Sequence, residues 1–375
     1  EESSERMAHL QTARQELYRS QCNCAYWHGA FGGLYLPHLR NAVYRHLILA
    51  ENAIDQIIAP DSEFIRALQN DFNADLHDEI KIDNRYLAVW ISPSQGGQIY
   101  ELDDRRTATN LLATLNRRPE PYHEPVRKAA QAPPIDSPEG PSNLHDRITL
   151  KHEGLDQLLV YDQHPRKALV DHLWASDTTQ QCVMRGEETE IAPWPTAKYE
   201  IVQLEKATDH VTVHLRQSFL WDSAPLQINK RITVSRSDSL IEVEYELNGL
   251  QGKPKTRFAV EFNIAGMAGH EPDRQFRDGH GKELGYLDSC LNLDNPETLM
   301  LSDQWLDLGT RIDWSNHEPD RVWTMPIRTV SNSEGGFESI FQSTAIFAIW
   351  DVGGSDENTF QTRFHWKLCP SHRGC

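Results

Sequence analysis

Nowhere among the 375 residues is there a run of about eighteen consecutive apolar residues, so no segment reads as a membrane-spanning helix. No basic-then-apolar leader opens the sequence either. Cysteine is scarce and irregularly spaced: Cys22, Cys24, Cys182, Cys290, Cys369 and Cys375 do not form a dense secreted disulfide framework. Cys22-x-Cys24 has no second pair with which to build a structural zinc site. Reduced thiols in a cytoplasm are therefore expected. Basic charge is also short, with 37 Lys and Arg against 55 Asp and Glu, a net charge of −18. Such a surface repels nucleic acid and anionic lipid and leaves neutral substrates such as sugars open.

Several common sites are missing as well. There is no G-x-x-x-x-G-K-[ST] phosphate loop and no G-x-S-x-G nucleophile elbow. His123-Glu124 begins like a zinc-protease helix, but Arg127 stands where the second histidine belongs. Gly279-His280-Gly281 lacks the third glycine of a dinucleotide-binding turn.

What is present is organised in two parts. The ten Trp argue for an ordered chain. Over the first 75 residues Met7, Leu10, Ala13 and Leu17 recur at helical spacing, as do Leu39, Ala42, Val43, Leu47, Ala50 and Ile54 after Pro37. Pro60 ends that second helix, and Asp61 is placed to cap a third, with Phe64, Ile65 and Leu68 inward. From about Leu76 the period becomes two. Val211, Val213 and Leu215 alternate with polar residues, and Ile241, Val243, Tyr245 and Leu247 alternate with Glu242, Glu244 and Glu246. Further strands are expected at 97–102, 147–151, 157–161, 199–204, 226–234, 257–264, 344–350 and 360–367. Residues 124–143 and 266–285 read as long loops. The fold expected is α+β and multidomain: a helical domain over 1–75, then a large antiparallel β-sandwich over 76–375.

The segment 21–40, QCNCAYWHGAFGGLYLPHLR, is the chain's most informative stretch. Its glycines allow positive φ or close approach of backbone to a ligand. Tyr26, Trp27 and His28 stand beside them. A ring face with a polar edge suits a sugar, whose C–H groups stack while its hydroxyls hydrogen-bond, and His28 has the chemistry to bind a hydroxyl or move a proton. The alternative is an αα corner in which Trp27 is core and the glycines only permit close packing.

The segment resembles the fifth conserved region of family 57 glycoside hydrolases, in the α-amylase and 4-α-glucanotransferase branch, where it typically reads C-N-D-A-Y-W-H-G-x-F-G-G-x-Y-L-P-H-L-R. The departure is Cys24, which stands where the family has Asp and cannot act as a carboxylate acceptor. Later stretches are also similar to that family: Gly96-Gly97 with Tyr100 to Asp103, Asn116 to Glu124, Asp171-His172, and Ser331 to Glu338. The resemblance implies that Tyr26, Trp27 and His28, with Cys24, line an α-glucan cleft. It also implies that the β domain is similar to a galactose mutarotase-like supersandwich. Retaining glycosidases need two carboxyl groups, one as nucleophile and one as acid/base. In this family both come from an N-terminal catalytic barrel that precedes the matched region. The chain is therefore expected to be the C-terminal half, a fragment inactive alone, with the barrel and an α-glucan as partners.

Other clusters read as structural. Glu120, His123 and Glu124 lie close to Arg117 and Arg118, which favours an ion-paired network over a catalytic or metal cluster. Asp171-His172 and most remaining Trp are assigned to structure and core. No cofactor is expected. Calcium among the Asp and Gly residues of 266–285 is the one metal weighed, and the alternating oxygen spacing of a calcium loop is missing there. Two other functions stand beside the first: a stand-alone α-glucan-binding sandwich, and a mutarotase-like sugar epimerase using a His and a Glu on a sheet face.

Overall fold

The computed structural model describes residues 2–27, 32–60, 63–131, 150–333 and 335–371. Two long helices come first, α1 (Glu2–Ser20) and α2 (Pro37–Ile58). The strands β1 (Ile65–Asn70), β2 (Glu79–Asn84), β3 (Leu87–Ser92), β4 (Gln98–Asp104) and β5 (Thr109–Asn110) follow. After α3 (His123–Gln131) come β6 (Ala168–Ala175) and α4 (Gln180–Arg185). The next strands are β7 (Glu200–Lys206), β8 (His210–Trp221), β9 (Ala224–Ser235), β10 (Leu240–Asn248) and β11 (Thr256–Ile264). Short strands β12 (Arg274–Arg277), β13 (Glu283–Tyr286), β14 (Asn292–Asp294), β15 (Thr298–Asp303) and β16 (Leu308–Asp313) lead to the long β17 (Arg321–Ser333), β18 (Gly336–Val352) and β19 (Thr359–Cys369).

The strands form two antiparallel sheets. One runs β1-β2-β3-β4-β6-β11-β18-β17-β14, with β5 beside β4; the other runs β13-β12-β15-β16-β19-β10-β9-β8-β7. The expected helical region followed by a large antiparallel sandwich is the architecture found. The alternation in β10 works as read: Ile241, Val243, Tyr245 and Leu247 are buried between the sheets. Glu242 and Glu244 lie on the opposite face and pair with His365 and Arg363 of β19. Burying each such Val, Leu or Ile stabilises by about 1.5–3 kcal/mol. Trp174, Trp194, Trp314, Trp350 and Trp366 are fully buried, whereas Trp305, on the β15–β16 turn, is exposed.

The central strands of the first sheet, β6, β11 and most of β18, are buried on both faces. Its inner face joins the main core, while Trp174, Ala259, Trp323, Phe347 and Ile349 pack with Val183 of α4 on the outer face. Between the sheets lies one fully buried ion pair, Lys230 Nζ to Asp171 Oδ2 at 2.7 Å. The Tyr199 and Tyr245 hydroxyls donate to the same carboxylate, each at 2.7 Å. Lys230 also donates to the carbonyls of Leu169 and Gly97. Gly96 turns β3 into β4 at φ +68°, and a Cβ there would stand 2.6 Å from the Pro195 carbonyl oxygen, so only glycine fits.

Several expectations are corrected. Residues 65–70 are strand β1, paired with β2 from Ile65↔Asn84 to Asn70↔Glu79, and not part of a third helix. The run is six residues long, too short for its period to separate helix from strand, and pairing decides it. The sheet thus begins within the stretch 1–75 that reads as helical. Residues 157–161 form no strand, because Leu155–Leu158 is a 3₁₀ turn. The supposed loop 266–285 holds β12 and most of β13, and 124–143 begins with α3. Residues 132–149, including the start of the expected strand 147–151, lie outside the described residues, as does the expected cap Asp61. Cys22, Cys24, Cys182 and Cys290 are free thiols, but Cys369 is disulfide-bonded, against the expectation that all six are reduced. Among the described residues no helix is long and apolar enough to cross a membrane.

Candidate functional site: an aromatic wall on a glycine turn

The chain leaves α1 at Ser20 and makes two 3₁₀ turns, Asn23–Ala25 and Gly33–Tyr35, before Pro37 starts α2. Proline suits that first helical position because its missing N–H would have no helical acceptor there. Gly32 adopts φ +83°, and the Leu34 amide donates to the Trp27 carbonyl at 3.0 Å. Tyr26 and Trp27 are 63% and 54% exposed, which decides against the reading of Trp27 as core. The Tyr26 hydroxyl donates to the Ser20 carbonyl at 3.0 Å, fixing one ring of the pair. Cys24 is exposed beside them, with its thiol 3.7 Å from Asn23 Oδ1. His28 lies outside the described residues.

The other end of the segment is clamped to the sandwich. Arg40 is buried and donates to the Leu34 and Ala113 carbonyls and, at 2.7 Å, to Gln342 Oε1 of β18. Gln342 Nε2 donates to the Tyr35 carbonyl at 2.8 Å. The Tyr35 hydroxyl bonds Glu120, and Arg118 Nε donates to both. Burial and the Glu120 carboxylate push the Tyr35 hydroxyl up to about 12. Sequence reasoning missed this clamp, because its partners lie about 80 to 300 residues away; the signal available was a Tyr and an Arg inside an otherwise apolar or glycine-rich run.

The clusters assigned to structure behave accordingly. Glu120 pairs with Arg118, and the Glu120 amide donates to His123 Nδ1, whose ring stacks on Tyr161. Glu124 instead faces Arg127 and Lys128 along α3. Asp171 and His172 project from opposite faces of β6, the first into the core and the second onto the outer face. There His172 meets a larger network. His164 Nε2 and His172 Nε2 lie 2.8 and 2.9 Å from Glu261 Oε2. Arg166 and Asn263 donate to Glu261 Oε1. His172 Nδ1 lies 2.6 Å from Glu190, so both ring nitrogens face carboxylates and the ring is held as imidazolium. Burial alone pulls its pKa down, but Glu190 and Glu261 outweigh it and raise it to about 10. This network was not foreseen from sequence, since Glu261 lies far along the chain from both histidines.

Two other places offer oxygen ligands. In 266–285 the Asp278 carboxylate accepts the His280 and Lys282 amides, and Asp273 pairs with Arg274. Asp71, Asn73, Asp75 and Glu79 do have alternating spacing, a pattern the sequence reading passed over. Their oxygens accept the amides of Phe72, Asp75, Leu76 and His77, so the turn is closed by its own backbone.

With this geometry in view, comparison identifies the class. The family model for the C-terminal domain of alpha-amylase/4-alpha-glucanotransferase matches residues 71–364, and that for the middle domain matches residues 2–54. The chain belongs to the alpha-amylase/4-alpha-glucanotransferase family. It is 30% identical to Alpha-amylase 1 of Dictyoglomus thermophilum over 93% of its own length and 48% of that protein. It is 28% identical to the 4-alpha-glucanotransferase of Thermococcus kodakarensis, over 94% and 47% respectively. The crystal structure of the 4-alpha-glucanotransferase from Thermococcus litoralis shares the fold at TM-score 0.70 and 24% identity, covering 98% of this chain and 49% of that one. The chain thus spans about half the length of the curated relatives it matches.

Proposed function

We propose that this chain is the sugar-cleft wall and C-terminal sandwich of an α-glucan-acting retaining hydrolase or 4-α-glucanotransferase of glycoside hydrolase family 57, with the catalytic carboxyl pair on a barrel outside this sequence. The observation that carries the reading is the exposed Tyr26–Trp27 pair on a loop beside Gly32 and clamped behind by Tyr35 and Arg40. An indole left half in water is a ready platform for a sugar ring. Bonds from the Tyr26 hydroxyl to the Ser20 carbonyl and from the Leu34 amide to the Trp27 carbonyl hold the pair in place, which limits the entropy lost on binding. Cys24, beside that platform, supplies no charge to orient a hydroxyl.

The relatives are named as α-amylases and 4-α-glucanotransferases, which supports an α-glucan as the ligand. The helical part then contacts the barrel and the glucan, and the sandwich supports both. Product analysis with maltoheptaose tests the assignment of roles. Residues 1–375 alone are expected to release no shorter or longer oligosaccharides, and turnover by this chain alone would overturn it. The gene upstream of Glu1 is expected to encode a barrel with a catalytic Glu and Asp.

One observation favours a second reading, an α-glucan-binding sandwich: Trp305 is 77% exposed on the β15–β16 turn. Under that reading Trp305→Ala removes retardation in a glycogen gel while Trp27→Ala does not.

A further inference from the structure

On the outer face of the first sheet, His164, His172 and Glu261 bring three ligand-type atoms within 4.8 Å of one another, and all three residues are buried. We propose that these residues form a zinc site in the sandwich, with Glu188 as the fourth ligand. The site is independent of the glucan cleft.

Four features carry the inference. The first is donor chemistry. Two imidazole nitrogens and one carboxylate oxygen suit zinc and not calcium or magnesium, which take oxygen. The second is geometry. Bonds of about 2.0–2.1 Å to a tetrahedral zinc put its ligand atoms roughly 3.3 Å apart. Both Nε2 atoms already converge on Glu261 Oε2 at 2.8 and 2.9 Å, so seating the ion requires these contacts to open by about half an ångström.

The third feature is the support behind the ligands. His172 Nδ1 lies against Glu190 at 2.6 Å, the carboxylate–histidine arrangement that orients metal-binding imidazoles. Glu261 keeps its second oxygen on Arg166 and Asn263, which leaves Oε2 for the ion. The fourth feature is an orphaned atom. Glu188 Oε2, two residues from the Glu190 that meets His172, is buried and finds no hydrogen-bond partner among the described residues; it lies outside the group of three converging ligand atoms, so its side chain turns inward to bind. Zinc seated here takes the place of the proton that His172 Nε2 holds against Glu261. Glu188 and Glu190 sit on the partly exposed segment after α4, which gives the ion a way in.

The test is titration of the chelator-treated full chain with Zn2+ alone, and with Co2+ as a spectroscopic probe. One equivalent is expected to bind tightly, to raise the thermal midpoint, and to give the intense visible bands of four-coordinate Co2+. His164→Asn is expected to lose that equivalent. Glu190→Gln, which touches no metal, is expected to fold normally and to weaken binding about 10–100-fold. Glu188→Gln is expected to shift the cobalt bands toward higher coordination by water. The proposal is overturned if the unchanged chain takes up no stoichiometric Zn2+. It is equally overturned if His164→Asn and Glu190→Gln bind as the unchanged chain does, which would place the ion at surface histidines.

Discussion

The helical region and the sandwich dispose of polar groups in opposite ways. In the sandwich charged groups are buried and ringed by partners, Asp171 between the sheets and Glu261 on the outer face of the first sheet. Lys230 and Asp171 meet two tyrosine hydroxyls and backbone carbonyls, and Glu261 accepts from four side chains. In the helices the polar groups form the seam and apolar residues face out. Arg105 and Arg66 tie Asp55 of α2 to Asp83 of β2, and Lys81 holds Glu51. Meanwhile Met7, Leu10 and Leu17 of α1 are exposed, and Leu10 and Leu17 line, with Ile54, Ile58 and Leu68, an apolar groove of about 660 Å³. A sheet core is closed by its own partner sheet. Two helices docked by ion pairs keep an apolar face available and hold the Tyr26–Trp27 turn without a core of their own.

That difference can be broken at its strongest point first. Lys230→Met leaves Asp171 charged and unpaired between the sheets, and loss of one partner of a buried pair costs about 3–5 kcal/mol. Urea unfolding followed by far-UV circular dichroism should show the sandwich transition move by that amount. Arg40→Ala strikes the seam instead. It removes four donated bonds and leaves the Gln342 carbonyl oxygen buried, at a cost of about 2–3 kcal/mol. Limited proteolysis should then cut near 59–64 much faster while the sandwich stays intact. Equal protection in both proteins would show that the clamp is unimportant.

The seam also responds to pH. Burial raises the Glu101 carboxyl to about 7, Lys167 opposes it, and Glu51 adds to the rise. A carboxyl whose folded pKa lies above its unfolded value binds its proton more readily when folded. Stability should therefore rise as pH falls from about 7 toward 4.5, by roughly 1–3 kcal/mol at this site. Glu101→Gln should flatten that part of the stability profile. Smallest in stability is Trp27→Ala, expected within about 0.5 kcal/mol because the ring is half in water.

How much of this was legible depended on distance along the chain. The strand alternation of Ile241 to Leu247 and the Tyr26–Trp27 turn beside glycine could be read directly, because local period and local composition carry them. Strand β1 could not: Ile65 to Asn70 become a strand only by pairing with β2. The role of Arg40 was hidden for the same reason, since Gln342 lies 302 residues away. Asp171 and His172 are neighbours in sequence, and nothing local tells that one faces Lys230 in the core and the other Glu261 on the outer face.

The wall reading rests on Trp27 meeting the glucan, and its indole N–H signal reports that contact directly. Addition of maltoheptaose to the isotopically labelled chain should shift the Trp27 signal and leave the buried Trp174, Trp194, Trp314, Trp350 and Trp366 unmoved, with the shifting signal absent from Trp27→Ala. A Trp27 signal that stays in place while that of Trp305 moves would contradict the reading and assign glucan contact to the sandwich.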